Sequence, residues 1–288
     1  MSPARRGYAA IPGGQIHYAE AGEGPPLLLL HSAPRSSRAY RYMLPRLAGT
    51  FRAVAPDLPG FGQSDPLAGA VTMDALGDAM IGLLDALGIA RAHVFGYHTG
   101  NKVAAAMAAR HPARIDRLVL CGQIHSIIPE KAKRDGAIAD IVDKYFTDFP
   151  DSPGGDAHLR RWQAEWTDVC GFAQPRPLFA QKTVTAGDID ALKVRVLDHV
   201  QALGAVRATY AANFDFDFAA ALARVRAPTL VIELVMPDEE RYGRQLDSLC
   251  RLLPGATGAT IMNAGKIAPE SHAAELAAHI ERFCAPAR

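Results

Sequence analysis

Residues 92–110 read AHVFGYHTGNKVAAAMAAR, and they decide the fold because a strand pattern changes into a helix pattern at the central GYHTG. Residues 92–96 form a short apolar run, and residues 101–110 form an alanine-rich helical pattern. A strand that turns sharply into a helix strains and exposes its central residue, and glycines on both sides remove side chains that would clash there. The sequence therefore predicts a sharp turn at residues 96–100, called the elbow below, with His98 at its tip.

Short apolar runs alternate with helical patterns on both sides of the elbow. A Gly-Gly pair at residues 13–14 separates two short segments and indicates a hairpin. Strands are predicted at residues 27–30, 52–56, 115–120, 229–232 and 259–262, and helices at residues 40–47, 73–87, 239–253 and 273–283. Alternation of this kind predicts an α/β fold, with a mostly parallel sheet and helices on both of its faces.

The alternation stops between about residue 123 and residue 225. This stretch is rich in aromatic residues and helical patterns, and Pro/Gly clusters such as FPDSPGG at residues 149–155 interrupt it. We interpret it as an inserted, mainly helical cap. The predicted division is a core of residues 1–122 and 226–288 and a cap of residues 123–225.

The composition restricts the classes of function. The 288 residues are 49% hydrophobic and 21% charged, which is typical of a globular protein. Lys and Arg number 31 against 30 Asp and Glu, so nothing attracts nucleic acid or an anionic membrane. The four cysteines are widely spaced and lack a metal-site pattern, which indicates reduced thiols and a cytoplasmic protein. We find no signal-peptide pattern. We expect a small-molecule substrate and no cofactor or metal, and a homodimer stays open.

Three further motifs accompany the elbow in a fixed order. HSAP at residues 31–34 follows one apolar run, DLPGFGQSD at residues 57–65 follows the next, and NAGK at residues 263–266 follows the last. With these motifs the chain resembles the α/β-hydrolase superfamily. It looks most like the capped branch, which contains epoxide hydrolases, haloalkane dehalogenases and related esterases and lyases. The resemblance covers nearly the whole chain except the cap, and it implies an eight-stranded sheet.

The same resemblance implies an oxyanion hole, in which fixed backbone N–H groups stabilise a negatively charged oxygen. The donors would be the backbone N–H groups of Ala33 and Thr99. Ser32 and Tyr97 stand next to them in sequence and join the candidate substrate-binding set. Trp162 and Trp166 belong to that set if their shared helical face lines the pocket, whereas core packing explains them otherwise.

The residue types at the three catalytic positions depart from the family pattern. His98 stands where the family has a nucleophilic Ser, Asp or Cys, and Lys266 stands where it has a basic histidine. Asp238 is the candidate acid, and the adjacent Glu239 and Glu240 are alternatives. The chain order nucleophile, acid, base is nevertheless kept. A neighbouring carboxylate favours a charged Lys266, which would orient Asp238 or stabilise negative charge in the substrate.

His98 is the predicted catalytic base. The positive end of the following helix disfavours an imidazolium, so we expect its pKa to lie below the reference of about 6.5. Three functions stay open at this point. The chain is interpreted first as a hydrolase of a small ester, lactone or similar carbonyl compound, in which His98 activates water or attacks the carbonyl carbon directly and forms an acyl-imidazole. The alternatives are a cofactor-free lyase, isomerase or cyclase that uses the same base, and a non-catalytic protein that binds a small molecule.

Overall fold

The computed structural model describes residues 4–122, 186–235, 244–262, 264 and 267–285. Eight strands of these residues form one sheet with the order β1-β2-β4-β3-β5-β6-β7-β8. The pairs β1–β2 and β2–β4 are antiparallel, and the remaining pairs are parallel. The predicted α/β fold with a mostly parallel, eight-stranded sheet is therefore confirmed. The strands are β1 (Arg5–Ile11), β2 (Gly14–Ala21), β3 (Pro26–Leu30), β4 (Arg52–Pro56), β5 (Ala92–Tyr97), β6 (Ile115–Cys121), β7 (Thr229–Val235) and β8 (Thr257–Met262).

Helices cover both faces of the sheet. The described α-helices are α1 (Leu44–Leu47), α2 (Met73–Ala86), α3 (Thr99–Arg110), α4 (Ala186–Gln201), α5 (Leu203–Asp215), α6 (Phe218–Leu222), α7 (Leu246–Leu252), α8 (Ala268–Ser271) and α9 (Ala273–Cys284). Thr72 caps α2, because its hydroxyl accepts a hydrogen bond from the backbone N–H of Ala75 at 3.0 Å. None of the helices in the described ranges is long and apolar enough to cross a membrane.

The central strand β3 is buried on both faces. Leu28 and Leu30 belong to one hydrophobic cluster, and Leu27 and Leu29 belong to a second cluster on the opposite side of the sheet. Burying a leucine side chain fully contributes about 1.5–3 kcal/mol, so this run alone is a large favourable term. The position of β3 next to β5 also brings the segment after β3 to the elbow.

The helix predicted at residues 40–47 is interrupted. A short 3-10 helix covers Ser37–Tyr40, and α1 begins only at Leu44. Pro45 explains the break, since proline lacks a backbone N–H and is accepted in the first turn of a helix but not in its interior. The hydroxyl of Tyr40 donates to the carbonyl of Leu30 at 2.8 Å, which ties the interrupted segment to the end of β3.

The helix predicted at residues 239–253 begins later than expected. Residues 236–243 lie outside the described residues, and α7 begins at Leu246. The carboxylate of Glu233 on β7 accepts hydrogen bonds from the backbone N–H groups of Gln245 at 2.6 Å and of Leu246 at 3.2 Å. A side chain distant in sequence therefore supplies the acceptor at the start of this helix, which the local pattern does not reveal.

The described part of the predicted cap, residues 186–225, contains α4, α5 and α6. Phe218 and Leu222 of α6 lie in the same hydrophobic cluster as Val103 and Met107 of α3, so this last helix packs into the core. β6 and β7, which flank the insertion in sequence, pair directly in the sheet. The boundaries of the cap, and its role as a cap, stay predictions.

Candidate functional site

The elbow has the geometry that the glycine pattern predicts. His98 lies between β5 and α3 with φ 49° and ψ −109°, and among the described residues it is the one non-glycine residue with positive φ. A Cβ atom on Gly96 would lie 2.5 Å from the carbonyl oxygen of Gly100, and one on Gly100 would lie 2.1 Å from that of Leu30. Both glycines are therefore required by close backbone approach, and the predicted sharp turn is confirmed.

Asn101 and the end of β6 hold the elbow from behind. The side-chain amide of Asn101 donates to the carbonyl of Cys121 and accepts from its backbone N–H, both at 2.9 Å. The backbone N–H of His98 donates to the same Cys121 carbonyl at 3.1 Å. A Cβ atom on Gly122 would lie 2.9 Å from Cδ2 of His98, so this glycine leaves the space that the imidazole uses.

The side chain of Tyr97, within the elbow, packs into the core. It is buried in the cluster that contains Phe95 and Cys121, and its ring contacts the ring of His98 edge to face at 4.4 Å between centroids. Burial raises the pKa of the Tyr97 hydroxyl well above its ordinary value, so this group stays protonated. Tyr97 supports the His98 ring, and its expected contact with a substrate stays a prediction.

The segment that carries Ser32 and Ala33 lies beside the elbow. Leu30 of β3 pairs in register with Gly96 of β5, so the residues that follow these two strands leave the sheet side by side. Ser32, Ala33 and Thr99 are all buried, and Thr99 is the first residue of α3. This placement suits two backbone donors that converge on one oxygen, a role that remains a proposal.

The DLPG turn is built around Asp57. Its carboxylate accepts hydrogen bonds from the backbone N–H of Ser37 at 2.7 Å and of Gln63 at 2.9 Å, and it pairs with Nδ1 of His17 at 2.8 Å. Burial alone would raise the pKa of Asp57, but the hydrogen bonds from His17 and Ser37 outweigh it and lower the pKa to about 2. Asp57 is therefore a structural anion, as its place in a turn indicates.

His31 organises the loop after β3. Its Nε2 accepts a hydrogen bond from the backbone N–H of Leu58 at 2.9 Å, and its Nδ1 lies 2.9 Å from the carbonyl oxygen of Ser32. Burial lowers its pKa, which favours the neutral imidazole that this arrangement needs. His31 thus connects the segment of Ser32 and Ala33 to the DLPG turn.

Four candidate residues lie outside the described residues: Asp238, Lys266, Trp162 and Trp166. The strands that precede the first two are described, and Val235 at the end of β7 pairs with Met262 at the end of β8. The carboxyl ends of these parallel strands meet at the same edge of the sheet as the end of β5. The roles of all four residues stay predictions.

A buried group of charges next to Ser32 and Ala33 was missed by the sequence analysis. The Arg35 guanidinium donates from Nε to Asp198 of α4 at 3.2 Å and from Nη2 to Glu270 of α8. Burial opposes the charge of Arg35, but the Glu270 and Asp198 carboxylates outweigh this and raise its pKa. The partners are 163 and 235 positions away, so no local pattern could have revealed the contact.

The matching family model is described as the alpha/beta hydrolase fold and covers residues 25–243. The chain is 39% identical over 107 residues to a 2-hydroxymuconate semialdehyde hydrolase of Pseudomonas sp. (strain CF600), covering 36% of this chain and 38% of the relative. It is 35% identical over 113 residues to bifunctional epoxide hydrolase 2 of Rattus norvegicus, covering 38% of this chain and 20% of the relative. The matches thus span about two fifths, or less, of the length of these curated relatives.

A solved structure extends the likeness to nearly the whole chain. A thermophilic esterase from Thermogutta terrifontis superimposes with a TM-score of 0.67 at 21% identity, covering 97% of both chains. At this identity the likeness shows the fold. Together with the family model, which covers more than half of the residues, it leads to one conclusion: the chain belongs to the α/β-hydrolase fold family.

Proposed function

We propose that this protein is a hydrolase of a small carbonyl compound, of ester or lactone type, in which His98 is the catalytic base. The observation that carries the proposal is the backbone of His98, which is held at positive φ between two glycines that close approach requires. Such strain persists only where the surrounding structure imposes it, and it concentrates at functional sites. In relatives with the elbow motif, this position presents the reacting side chain.

The proposed reaction uses the imidazole as a proton carrier. Neutral His98 accepts a proton from a water molecule, whose oxygen forms a bond to the substrate carbonyl carbon. The carbonyl oxygen becomes negatively charged and accepts hydrogen bonds from the backbone N–H groups of Ala33 and Thr99. When the intermediate collapses, the bond to the leaving oxygen breaks, and that oxygen takes the proton from the imidazolium. His98 is then neutral again.

The remaining candidates have supporting roles in this proposal. Lys266, charged, stabilises negative charge or orients Asp238, for which Glu239 and Glu240 remain alternatives. The insertion acts as a cap that determines which substrates enter, and Trp162 and Trp166 belong to the candidate substrate-binding set. The substrate class is supported by a relative named as a hydrolase of a semialdehyde, which contains a carbonyl group, and by the likeness to an esterase.

The test compares the parent with His98→Ala on p-nitrophenyl acetate and on the lactone dihydrocoumarin. We expect a loss of roughly 10²–10⁴-fold in kcat, the usual contribution of a general base. In the parent, activity should rise with pH as the imidazole loses its proton, and His98→Ala should lack this acidic limb. His111→Ala is the matched control, because His111 pairs with Asp78 at the surface.

Turnover with ¹⁸O-labelled water separates the three hypotheses. Incorporation of ¹⁸O into the acid product, lost in His98→Ala, supports hydrolysis. Turnover without incorporation would instead indicate a lyase, isomerase or cyclase. A parent that binds small carbonyl compounds and converts none of them would be a binding protein, and full activity in His98→Ala would remove His98 from the mechanism.

A further inference from the structure

The carboxylate of Asp198 receives three hydrogen bonds from one short segment of the chain. Its oxygens accept from the Ser36 hydroxyl at 2.6 Å, from Nη1 of Arg38 at 3.0 Å and from Nε of Arg35 at 3.2 Å. The Asp198 side chain is 0% exposed, although it stands on α4, about 160 residues later in the sequence. All three donors lie within residues 35–38, directly after the segment that carries Ser32 and Ala33.

This arrangement restricts where the segment can lie. Charge-assisted hydrogen bonds are short and directional, and three of them on one carboxylate fix both the distance and the orientation of their donors. The backbone N–H of Arg35 also donates to the carbonyl of Ser32 at 2.8 Å, so the constraint extends to the segment of Ser32 and Ala33, called the oxyanion loop below. Arg35 also donates to Glu270 of α8, which gives the same segment a second carboxylate contact.

A second contact from the insertion meets the same loop. The hydroxyl of Tyr210 on α5 donates to the carbonyl of Ala33 at 3.4 Å. Burial raises the pKa of Tyr210 to about 12, so this hydroxyl keeps its proton and remains a donor. Two helices of the insertion, α4 and α5, therefore hold the segment of residues 32–38 at separate points.

We propose that Asp198 is a positioning residue, which holds the Ala33 backbone N–H in register with that of Thr99. It contacts no substrate and acts through residues 35–38. The inference rests on the proposed function, in which the backbone N–H of Ala33 stabilises the oxyanion. An asparagine in its place would lose the charge that attracts Arg35 and Arg38, and would turn an N–H₂ group toward one of three donors. The loop should then move more freely.

The first experiment measures how firmly residues 31–41 are held in place, independently of enzymatic activity. Amide hydrogen exchange is followed in the parent, in Asp198→Asn and in Asp190→Asn, an exposed carboxylate on the same helix. We expect exchange in residues 31–41 to be about tenfold faster or more in Asp198→Asn, which corresponds to losing hydrogen bonds to a charged group. Exchange in β5 and throughout Asp190→Asn should stay at the parent value.

Ser36→Ala provides a second variant, since it removes the 2.6 Å hydrogen bond without leaving a buried charge unpaired. Because the Ser36 hydroxyl also accepts from the backbone N–H of Arg38, exchange in this variant is compared only at residues 31–35. It should speed exchange in residues 31–35 by a smaller factor than Asp198→Asn does. Parent-like exchange in both folded variants would overturn the proposal. If Asp198→Asn does not fold, Ser36→Ala decides it alone.

The second experiment measures kcat and KM with p-nitrophenyl acetate. Because the oxyanion forms only after water has attacked, we expect kcat to fall about tenfold in Asp198→Asn while KM changes less than about twofold. Asp198→Glu, which keeps the charge, should recover part of the loss. Faster exchange with unchanged kcat in an active parent would overturn the link to the oxyanion hole. An inactive parent would contradict the proposed function, and the exchange experiment would still decide the placement.

Discussion

The backbone of His98 carries a cost that the rest of the elbow must offset. A non-glycine residue in a sparsely populated region of φ and ψ costs on the order of 1–3 kcal/mol. Here the compensating contacts are visible: the backbone N–H of His98 bonds to Cys121, and Asn101 holds the same residue of β6. The side chain at this position is therefore retained at the expense of stability, which is the usual relation at a reactive site.

This strain predicts that glycine is more stabilising than alanine at position 98, the reverse of their order in regular structure. In regular structure glycine is less stable than alanine, but at the positive φ of residue 98 only glycine is free of strain. We expect His98→Gly to have a free energy of unfolding about 1 kcal/mol higher than His98→Ala. Urea denaturation of the two variants measures the difference, which contains no contribution from the lost imidazole. An alanine variant as stable as the glycine variant would show that the elbow is unstrained.

Asp57 makes stability depend on pH. Its folded pKa of about 2 lies below the ordinary value of 3.8. The sign is that of a carboxylate stabilised by folding: the contribution is complete above about pH 4 and disappears as the pH falls toward 2. We expect Asp57→Asn to lower the free energy of unfolding by about 2 kcal/mol at neutral pH, with the difference from the parent shrinking in this acidic range.

Denaturation between pH 2 and pH 7 measures this effect. Asp65→Asn is the control, because Asp65 lies in the same turn but is exposed. Its carboxylate accepts a hydrogen bond from the backbone N–H of Gln15. Its effect should stay below about 1 kcal/mol. A constant difference between parent and Asp57→Asn down to pH 2 would contradict the assigned pKa.

At the scale of elements, the elbow joins β5 to α3 through contacts with two neighbouring strands. Gly100 faces the end of β3, and Asn101 bonds to the end of β6. Helix α3 can therefore begin at Thr99 only if position 100 has no side chain. Alanine in a helix normally stabilises by roughly 0.5–1 kcal/mol over glycine, so propensity and packing oppose each other at this position.

We expect packing to win in Gly100→Ala. A Cβ atom 2.1 Å from the Leu30 carbonyl oxygen must displace backbone, and such overpacking costs about 3 kcal/mol. Gly49→Ala is the control, since a Cβ at Gly49 would have no neighbour within 4 Å. Thermal unfolding should show a clear drop for the first variant and little change for the second. Equal melting temperatures would refute the packing argument.

Local patterns were sufficient to predict the strands, α2, α3 and the elbow, because each depends on periodicity, an N-cap or glycine within its own segment. They failed where a proline, or a residue distant in sequence, determines where a helix begins. Pro45 interrupts the helix expected at residues 40–47, and Glu233 on β7 binds the start of α7. At the site, Gly122 and Asn101 were missed because their function depends on β6 lying beside the elbow.

At the scale of the whole molecule, α5 of the insertion is tied to the core near the elbow. Lys102 of α3, itself buried, donates from Nζ to the carbonyl of Asn213 at 2.7 Å. Asn213 lies in the last turn of α5, where a cation is favoured by the helix dipole. Together with the Asp198 contacts, this places two charged anchors between the insertion and the two segments that form the proposed site.

Lys102→Met should weaken the attachment of the insertion. The variant keeps the apolar length of the side chain but loses a hydrogen bond from a charged donor, which is worth about 1.5–3 kcal/mol. We expect a loss of this size in urea denaturation and faster amide exchange in residues 203–215. Lys193→Met, on the exposed side of α4, should change stability by less than about 0.5 kcal/mol. Parent-like exchange in α5 would indicate that other contacts hold the insertion.

The pairing of β6 with β7 has a consequence for biosynthesis. The two strands are adjacent in the sheet, but β7 begins at Thr229, more than a hundred residues after β6 ends at Cys121. At ribosomal rates of about 5–20 residues per second, β7 emerges roughly 5–20 s after β6. During that interval the edge of β6 that β7 covers in the finished fold, along the almost fully buried stretch Leu118–Cys121, lacks its β7 partner. A nascent chain with an open, apolar edge invites pairing with another chain, so expression yield should depend on how fast the insertion is translated and on chaperones that shield β6.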